Sequence, residues 1–558
     1  MSSSVVSRFN QITILLIGIL FVYTVASTSI YSISPTDLGL ASRLPMTFWI
    51  GLVLLGCLWL SCSKGPRKYQ IVALVFTLSY LYFAPAIIKI PVWISESYYP
   101  FGESLLIYRS GYLFPRPDAP LVSYQNWPIF LYFSSAFKLV TGAADSVILK
   151  YFPMVTISLY ALLAFLILKV KLRISYAIFG AALFLGSFFT RQQYFGPQGI
   201  AFVFFLFIVF IVSLLFFDER TKKKGTLAVI YIVLFIVITL THALTSLMTL
   251  LVVVAGYLAY KILRKQPPAF AIQLCLFSAV FLLAYNLFVA QNFFKQTVET
   301  LSEFLSGPEE ASLLKEPTRI VSSQAQRLNY YASWGIVLLM GLIAAIQVLY
   351  LLRNIRLRKQ RNNEGFSFFM VIWLVFAVLF AVSAVYGSSE AYQRGFMFGL
   401  IPIIYLCLNL FAKKPRALSL LVVGLLFLNI VAQYGSDVYR LMPYEALAGT
   451  KFLVDHTPEE ISLLYGFWPH IRYQDPLKRV QFLEVRGTLP YTSVPNATTV
   501  KKTLNESDYI IRSELQLKYY LYFFGQDPLD QVSFDRFNRV YDNANFRIFT
   551  HANETSSG

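Results

Sequence analysis

The chain has 558 residues, of which 57% are hydrophobic and only 14% are charged, and its mean hydropathy is +0.59. Soluble globular proteins carry about 25% charged residues, so this composition excludes an ordinary soluble domain. The net charge of +18 does not indicate nucleic-acid binding, because the basic residues form short clusters between apolar runs and no RNP, zinc-finger or helix-turn-helix pattern accompanies them.

Thirteen apolar runs have about the length that a helix needs to span a bilayer. The first is predicted to be a retained span because it is longer than the apolar core of a signal peptide. A fourteenth run, WPIFLYFSSAFKLV at 127–140, is too short and contains Lys138. We therefore expect it to lie in the membrane interface as an amphipathic helix. The thirteen runs lie near 11–33, 46–63, 70–88, 150–168, 174–190, 198–217, 226–241, 243–260, 268–289, 332–352, 366–386, 394–412 and 417–435.

Short clusters of basic residues lie between the apolar runs. They are typical of cytoplasmic loops, which carry an excess of Lys and Arg. If every cluster is cytoplasmic, the N-terminus is cytoplasmic as well, and an odd number of spans places the C-terminus outside. Residues 89–148 and 290–331 then form large outer segments. The clusters are SKGPRK (63–68), KVKLR (169–173), DERTKKK (218–224), KILRK (261–265), RNIRLRKQR (353–361) and KKPR (413–416).

The chain changes character after residue 435, where charges of both signs and turn residues replace the apolar runs. The alternating stretches RVQFLEV and NFRIFTH predict strands, and PYEALAGTKFLVDH predicts a helix. TPEE at 457–460 predicts the start of another helix, since Thr is a good cap and Pro suits the first turn. Three glycosylation sequons, at Asn496, Asn505 and Asn553, agree with an outer location. The predicted fold class is an α-helical polytopic membrane protein with about 13 transmembrane helices in residues 1–435 and a small extracytoplasmic α/β domain in 436–558.

The stretch WISESYYPFGE at 93–103 places two carboxylates just after the third apolar run. Glu96 lies eight residues beyond the end of that run, among tryptophan and tyrosine residues. A carboxylate at the interface under aromatic rings suits a general base whose substrate is half lipid and half polar. The alternative is a solvated glutamate within an ordinary interfacial aromatic belt.

The following segment, GYLFPRPDAPLVSYQNWPIFLYFSSAFKLVTG, completes a pattern that resembles the GT-C-fold membrane glycosyltransferases. That resemblance covers the topology of the whole chain and is nearest to the oligosaccharyltransferase and mannosyltransferase branches, with a prokaryotic and plausibly archaeal character. YQRGFMFGLIP and RVYDNANFRIF are similar to stretches of prokaryotic members. The tail contains no WWDYG-like sequence, which argues against an oligosaccharyltransferase proper.

The resemblance implies that Glu96 is the catalytic base and that Glu103 is a secondary candidate. It also implies a donor sugar carried on a polyprenyl or dolichyl phosphate, whose phosphate is bound by cations near the outer interface. Arg191 and Arg394 are the arginines at the predicted outer ends of spans, and a guanidinium can donate two hydrogen bonds to a phosphate at once. The alternative for each arginine is a snorkelling anchor at the end of a span.

Other polar residues at the predicted outer ends are candidates for binding the sugar or the acceptor. The amides of Gln192, Gln193 and Gln198 can bond to sugar hydroxyls, although turn polarity explains them almost as well. His242 is expected to cap a helix break rather than to act in catalysis. A divalent metal would need a second outer carboxylate opposite Glu96, and only Glu390 could approach from another loop. No cofactor is therefore assigned.

The outer segment 290–331 has apolar residues near helical spacing and is expected to be a helix lying on the membrane. The resemblance implies a mobile loop that can cover the active site. The apolar positions are Phe294, Val298, Leu301 and Leu305.

The leading interpretation is a plasma-membrane glycosyltransferase that passes a sugar from a lipid-phosphate carrier to a glycan, lipid or protein acceptor at the outer face. The main alternative is a transporter or flippase. Transporters usually bind their substrate at the bilayer midplane with broken helices or intramembrane charges, and often show internal repeats. The sequence has neither a charge deep in a span nor two-fold internal symmetry. A scaffold that merely presents the C-terminal domain is a third interpretation.

Overall fold

The computed structural model describes residues 3–34, 37–90, 95–112, 126–264, 269–291, 293–295, 298–299, 324–356, 365–383, 391–464, 471–475, 478–483 and 497–551. Residues 3–434 of this part are almost entirely helical. The helices are α1 Ser3–Ser27, α2 Met46–Ser61, α3 Arg67–Leu78, α4 Ala84–Ile88, α5 Tyr98–Ser110, α6 Ile129–Thr141, α7 Asp145–Lys169, α8 Ile174–Ser187, α9 Pro197–Phe217, α10 Lys224–Thr239, α11 Ala243–Arg264, α12 Ala269–Phe288, α13 Gln324–Arg356, α14 Gly365–Ser383, α15 Ala391–Leu410 and α16 Pro415–Tyr434.

Within these ranges, ten helices are long and apolar enough to cross a membrane. They are α1, α7, α9, each helix from α11 to α16, and the continuous rod formed by α3 and α4. The other three predicted spans correspond to the shorter apolar helices α2, α8 and α10. The predicted polytopic helical fold is thus confirmed. The run at 174–190 is helical only as far as Ser187, and the residues after it form a loop.

The burial of each helix follows its hydrophobic pattern. Helix α9 is apolar on all sides, and 72% of its apolar window is buried, compared with 22% for α1 and for α13. A helix that is hydrophobic all round belongs in the interior of a bundle, whereas a helix that faces lipid can remain apolar without protein contacts. Helix α9 therefore lies at the centre, and α1 and α13 lie at the periphery.

Helices α3 and α4 are joined by a π-helical turn at Ser79–Phe83. The wider turn presents two tyrosine hydroxyls to carbonyl groups of neighbouring segments. The hydroxyl of Tyr80 donates to Ile17, and that of Tyr82 donates to Leu185 and Phe188. These bonds fix the direction in which the chain leaves α4, and thus the position of Lys89.

The predicted interfacial helix at 127–140 corresponds to α6, which has 13 residues. At about 1.5 Å per residue it is roughly 20 Å long, too short for a hydrocarbon core of about 30 Å. Its inner face packs on α5, where the hydroxyl of Ser135 donates to the carbonyl of Ser104. Its other face exposes Phe133, Phe137 and Val140, as a helix in the membrane interface would.

The bundle has two distinct ends. One end, here called the domain end, carries the described residues after 435. The segment after α1 meets the segment after α4 there through Ile30 and Lys89. The other end, here called the basic end, carries the basic clusters at 63–68, 169–173, 218–224 and 413–416. A bond from the Tyr176 hydroxyl to the carbonyl of Ala412 joins two of its turns.

The described residues of the C-terminal unit form a five-stranded mixed sheet and four short α-helices. Strands β1, β2 and β3 are parallel, whereas β5 is antiparallel to both β3 and β4. The strand order is β2-β1-β3-β5-β4. The strands are β1 Glu460–Leu464, β2 Arg479–Leu483, β3 Tyr509–Ser513, β4 Phe537–Asp542 and β5 Phe546–His551, and the helices are α17 Tyr444–His456, α18 Ile471–Gln474, α19 Ala497–Asn505 and α20 Glu514–Phe524.

Most local predictions for this unit are confirmed, including α17 and the strands in RVQFLEV and NFRIFTH. The helix predicted to start at TPEE is wrong, since Glu460 begins β1. Ile461, Leu463 and Leu464 are buried between β2 and β3, and this pairing outweighs the local capping preference. Residues 300–323 of the predicted lid, Asn496, Asn553 and Glu390 lie outside the described residues.

Candidate functional site

Glu96 lies in the short helical turn Ser95–Ser97 at the domain end, directly before α5. Its side chain is 31% exposed and faces Arg440, whose Nη2 is 3.8 Å from Oε1. The hydroxyl of Ser95 donates to the other carboxylate oxygen at 3.2 Å. The backbone N–H of Ser95 also donates to the carbonyl of Arg440 at 3.1 Å. The carboxylate and the guanidinium therefore meet across two segments that are far apart in sequence.

Arg440 reaches this position because a buried ion pair holds the turn that precedes it. Asp437, in the turn after α16, receives a hydrogen bond from Lys89 Nζ at 3.0 Å, and both side chains are completely buried. The ammonium of Lys89 also lies 4.8 Å from the centre of the Tyr434 ring. Burial outweighs the attraction of Asp437 and lowers the pKa of Lys89 to about 8. The ion pair thus joins the end of α4 to the end of α16.

The first loop of the chain docks on the same helix end. Gly39 has a φ of +50°, and a Cβ atom placed there would lie 1.9 Å from the carbonyl oxygen of Tyr434. Only glycine permits this approach. The loop carries Asp37, which accepts a hydrogen bond from Arg43 Nε at 2.6 Å and remains partly exposed. A carboxylate outside the predicted site is thus held at the domain end.

Arg191, one of the two predicted phosphate ligands, is hydrogen-bonded to the end of α16. Its Nε donates to the carbonyl of Gln433 at 2.7 Å, and its Nη2 donates to that of Ala432 at 2.8 Å. These carbonyls belong to the last turn of α16, where a cation is favourable. Burial and the nearby Arg440 lower the pKa of Arg191. Arg191 also adopts a φ of +58°, which is strained for an arginine. The guanidinium is therefore a cap for α16 in this structure.

The loop that contains Arg191 also buries several amides without partners. Both amide atoms of Gln193, Oε1 of Gln192 and Nε2 of Gln198 have no hydrogen-bond partner among the described residues. Gln433, in the last turn of α16, also has two such atoms. A buried polar group without a partner costs about 1–3 kcal/mol, and such groups are rare. These glutamines supply donors and acceptors that a polar ligand could use.

His242 lies between α10 and α11 and caps the second of these helices. Its Nδ1 accepts from the backbone N–H of Thr245 at 3.3 Å and contacts the hydroxyl of that residue at 2.9 Å. Burial, with a smaller effect of the Arg394 charge, lowers the pKa of His242 to about 3. The expected capping role is therefore the one that the geometry supports. Arg394 stands in the first turn of α15, close enough to affect this histidine.

Glu103 lies on α5, about two turns after Glu96, and is only 2% exposed. Glu96 is therefore the more accessible of the two predicted carboxylates. The described residues contain no cluster of three or more His, Cys, Asp or Glu side chains suited to a metal ion.

The sequence interpretation missed Lys89, Asp437, Arg440 and Asp37. A signal existed for two of them, because Lys89 directly follows an apolar run and Asp437 follows the last one within YGSDVYR. Lys89 and Asp437 are 348 residues apart, so no short stretch of the sequence indicates that they pair.

No protein-family model matches the sequence, and no curated protein matches it in a sequence search. A structure search finds similar solved structures at very low identity, among them the following three. The archaeal oligosaccharyltransferase AglB from Archaeoglobus fulgidus, in complex with an inhibitory peptide and a dolichol-phosphate, has a TM-score of 0.50 at 12% identity over 88% of this chain and 75% of its own. ArnT from Cupriavidus metallidurans, bound to undecaprenyl phosphate, has a TM-score of 0.47 at 11% identity over 88% and 99%. An Archaeoglobus fulgidus oligosaccharyltransferase in complex with Zn and sulfate has a TM-score of 0.45 at 12% identity over 83% and 70%. The similarity to AglB shows a GT-C-like fold.

Proposed function

We propose that this chain is a membrane glycosyltransferase that takes a sugar from a polyprenyl-phosphate or dolichyl-phosphate carrier and passes it to a glycan, lipid or protein acceptor. The observation that carries the proposal is the pair of Glu96 and Arg440 at the domain end of a GT-C-like bundle. AglB, which shares this fold, was solved with a dolichol-phosphate, and this supports the choice of carrier.

In the proposed reaction Glu96 acts as the general base. It removes the proton from the attacking hydroxyl or amide of the acceptor, and the acceptor atom forms a bond to the anomeric carbon of the sugar. The bond between that carbon and the phosphate oxygen breaks, and the phosphate leaves with the electron pair. The partial exposure of Glu96 supports this role, because the acceptor must be able to reach the carboxylate.

Arg440 is the best-placed cation for the departing phosphate. It is 20% exposed at the side chain, and its 3.8 Å separation from Glu96 exceeds a hydrogen bond. In the resting chain the two charges balance each other; a bound phosphate takes over Arg440 and leaves Glu96 available to the acceptor. Arg394 remains a candidate for a second phosphate contact, whereas the helix-capping bonds of Arg191 favour a structural role.

The buried amides near Arg191 support a site for a neutral, hydroxyl-rich group. Hydroxyls both donate and accept, so a sugar can satisfy Gln192, Gln193 and Gln198 together, which an apolar ligand cannot. Glu103 is kept as a secondary carboxylate.

The proposal places the domain end on the outer side of the plasma membrane. The basic clusters lie at the opposite end of the bundle, and positively charged loops favour the cytoplasmic side. The N-terminus is then cytoplasmic, and the C-terminal unit is extracellular.

The decisive test is the Glu96→Gln variant, assayed for sugar transfer in purified form with a set of polyprenyl-phosphate sugars. A general base contributes about 10²–10⁴-fold to a rate, so transfer should fall by that factor while binding of the carrier phosphate persists. Glu459→Gln, at an exposed carboxylate of the C-terminal unit, is the matched control. Unchanged transfer by Glu96→Gln removes Glu96 from the mechanism.

Arg440→Ala and Arg394→Ala separate the two candidate phosphate contacts. Each should weaken binding of the donor more than it slows the chemical step. An unchanged apparent affinity for the donor would reassign the arginine concerned as a structural residue.

A further inference from the structure

The C-terminal unit contains a slot of about 300 Å³ that is separate from Glu96 and Arg440. It opens between the end of β3, the first turn of α20 and the loop that joins β4 to β5. Binding sites for small molecules range from roughly 300 to 1,000 Å³, so the slot has room for one small ring or a few water molecules. It lies at the carboxyl end of β3, where Arg512 and Ser513 pair with the start of β5.

The charged side chains of the slot already balance each other. Arg512 contacts Asp530 at 2.6 Å and Asp527 at 3.3 Å. Arg547 contacts a carboxylate of its own hairpin at 3.4 Å, and Glu514 pairs with a lysine one turn along α20 at 2.7 Å. An ionic ligand would therefore have to displace an existing ion pair, whereas a neutral ligand would not.

Gln516 provides a second, independent observation. It lines the slot, is only 1% exposed, and neither atom of its amide has a partner among the described residues. Its backbone N–H is already bonded to the hydroxyl of Ser513. An amide left in this state offers one acceptor and two donor hydrogens. Asn545, on the opposite wall, adds an exposed amide.

We propose that this slot binds a neutral polyhydroxylated ligand, namely a single saccharide unit. Amide donors and acceptors in a slot whose charges balance match vicinal hydroxyls, which can donate and accept together. The slot is tied to the membrane bundle, because Lys518 and Glu514 at the base of α20 both contact the hydroxyl of Ser32. The inference does not depend on glycosyl transfer, since it concerns binding alone.

The test is saturation-transfer NMR on the full chain in lipid nanodiscs, since glycoside detergents would compete with the probes. The neutral probes are methyl α-glucoside, methyl α-mannoside and cellobiose, and glucuronate is the anionic comparator. We expect saturable binding of a neutral probe that weakens at least about tenfold, or 1.4 kcal/mol, in Gln516→Leu. Asn545→Ala should weaken it as well, and Asn538→Ala, at an exposed position of the same hairpin, should not.

Three results would overturn the proposal. The first is the absence of binding for every neutral probe, which would mean that the slot holds only water. The second is a preference for glucuronate that Arg547→Ala abolishes, which would make the slot an anion site. The third is undiminished binding of a neutral probe in Asn545→Ala together with Gln516→Leu. If Gln516→Leu does not fold, Asn545→Ala decides, because its side chain is exposed. Glu96→Gln should bind the probes normally, so a failure of the proposed catalytic base remains a separate result.

Discussion

The basic end and the domain end of the bundle differ in how they hold charge. At the basic end, Lys64, Arg67, Lys222 and Lys413 are exposed, where a charge costs little. At the domain end the Lys89–Asp437 pair is fully buried and several glutamine amides have no partner within the described part of the chain, and each such group has a cost in stability. Exposed charge can orient a protein in the membrane, whereas buried polar groups lower stability, and their presence at the domain end agrees with the site that we propose there.

The largest effect is expected in a test of whether the two ends face opposite sides of the membrane. Single cysteines at the exposed positions Lys222 and Lys501, introduced after the native cysteines are replaced, can be treated with an impermeant thiol reagent on intact cells. We expect an all-or-none result, with labelling at 501 and none at 222. Labelling at 222 alone would reverse the orientation and place Glu96 in the cytoplasm.

Removing one partner of the buried pair should have the largest effect on stability. Asp437→Asn leaves the Lys89 ammonium buried without its counter-ion, which costs about 3–5 kcal/mol. Thermal unfolding in detergent measures the loss. Asp455→Asn breaks the exposed pair with Lys451 and is the control, because an exposed ion pair contributes little to stability and the unfolding temperature should hardly change.

The double variant Lys89→Met with Asp437→Leu replaces both charges by apolar groups and should recover most of that stability. If Asp437→Asn unfolds at the temperature of the parent chain, the buried pair does not join the two segments.

Acid should weaken the domain end through His242. With a pKa of about 3 in the fold and 6.5 for a free histidine, the unfolded chain binds more protons between these values, so stability falls as the pH falls through this range and is unaffected above it. Acidification from pH 6.5 to 5 should cost up to about 2 kcal/mol, at about 1.4 kcal/mol per unit.

His242→Asn, which keeps a capping acceptor, should lose this dependence, whereas His456→Asn at an exposed position should retain it. Unfolding temperatures measured over pH 5–7.5 distinguish the two variants. An unchanged slope in His242→Asn would contradict the assignment.

The smallest expected effect is the difference in stability between substitutions of two glutamines, one at each end of the bundle. Gln70, at the basic end, donates to the carbonyl of Cys62 at 3.1 Å, so Gln70→Leu should cost about 1 kcal/mol. Gln193 at the domain end has no partner for its amide among the described residues, so Gln193→Leu should leave stability unchanged or slightly higher while it lowers sugar transfer. A loss of stability in Gln193→Leu larger than in Gln70→Leu would show that its amide is structural.

Features that depend on local composition could be predicted from the sequence. Apolar runs located the helices because each helix satisfies its own backbone, and the short run with Lys138 forms a helix of only 13 residues. The segment at Glu96 became a candidate because a carboxylate after an apolar run is unusual.

Contacts over long separations could not be predicted. Arg440 and Glu96 meet only because α4 and α16 end side by side, and the capping of α16 by Arg191 has the same origin. TPEE was misinterpreted because sheet pairing, which a local window does not contain, decided its conformation.

The burial of Lys89 has a consequence for biosynthesis. Its partner Asp437 is made 348 residues later, which takes roughly 20–70 s at a translation rate of about 5–20 residues per second. Throughout that interval the nascent chain holds a lysine near the membrane surface whose counter-ion has not yet left the ribosome. The contact between Glu96 and Arg440 therefore forms only after α16, the helix before Arg440, has been inserted. A chain that ends before Arg440 cannot form this pair.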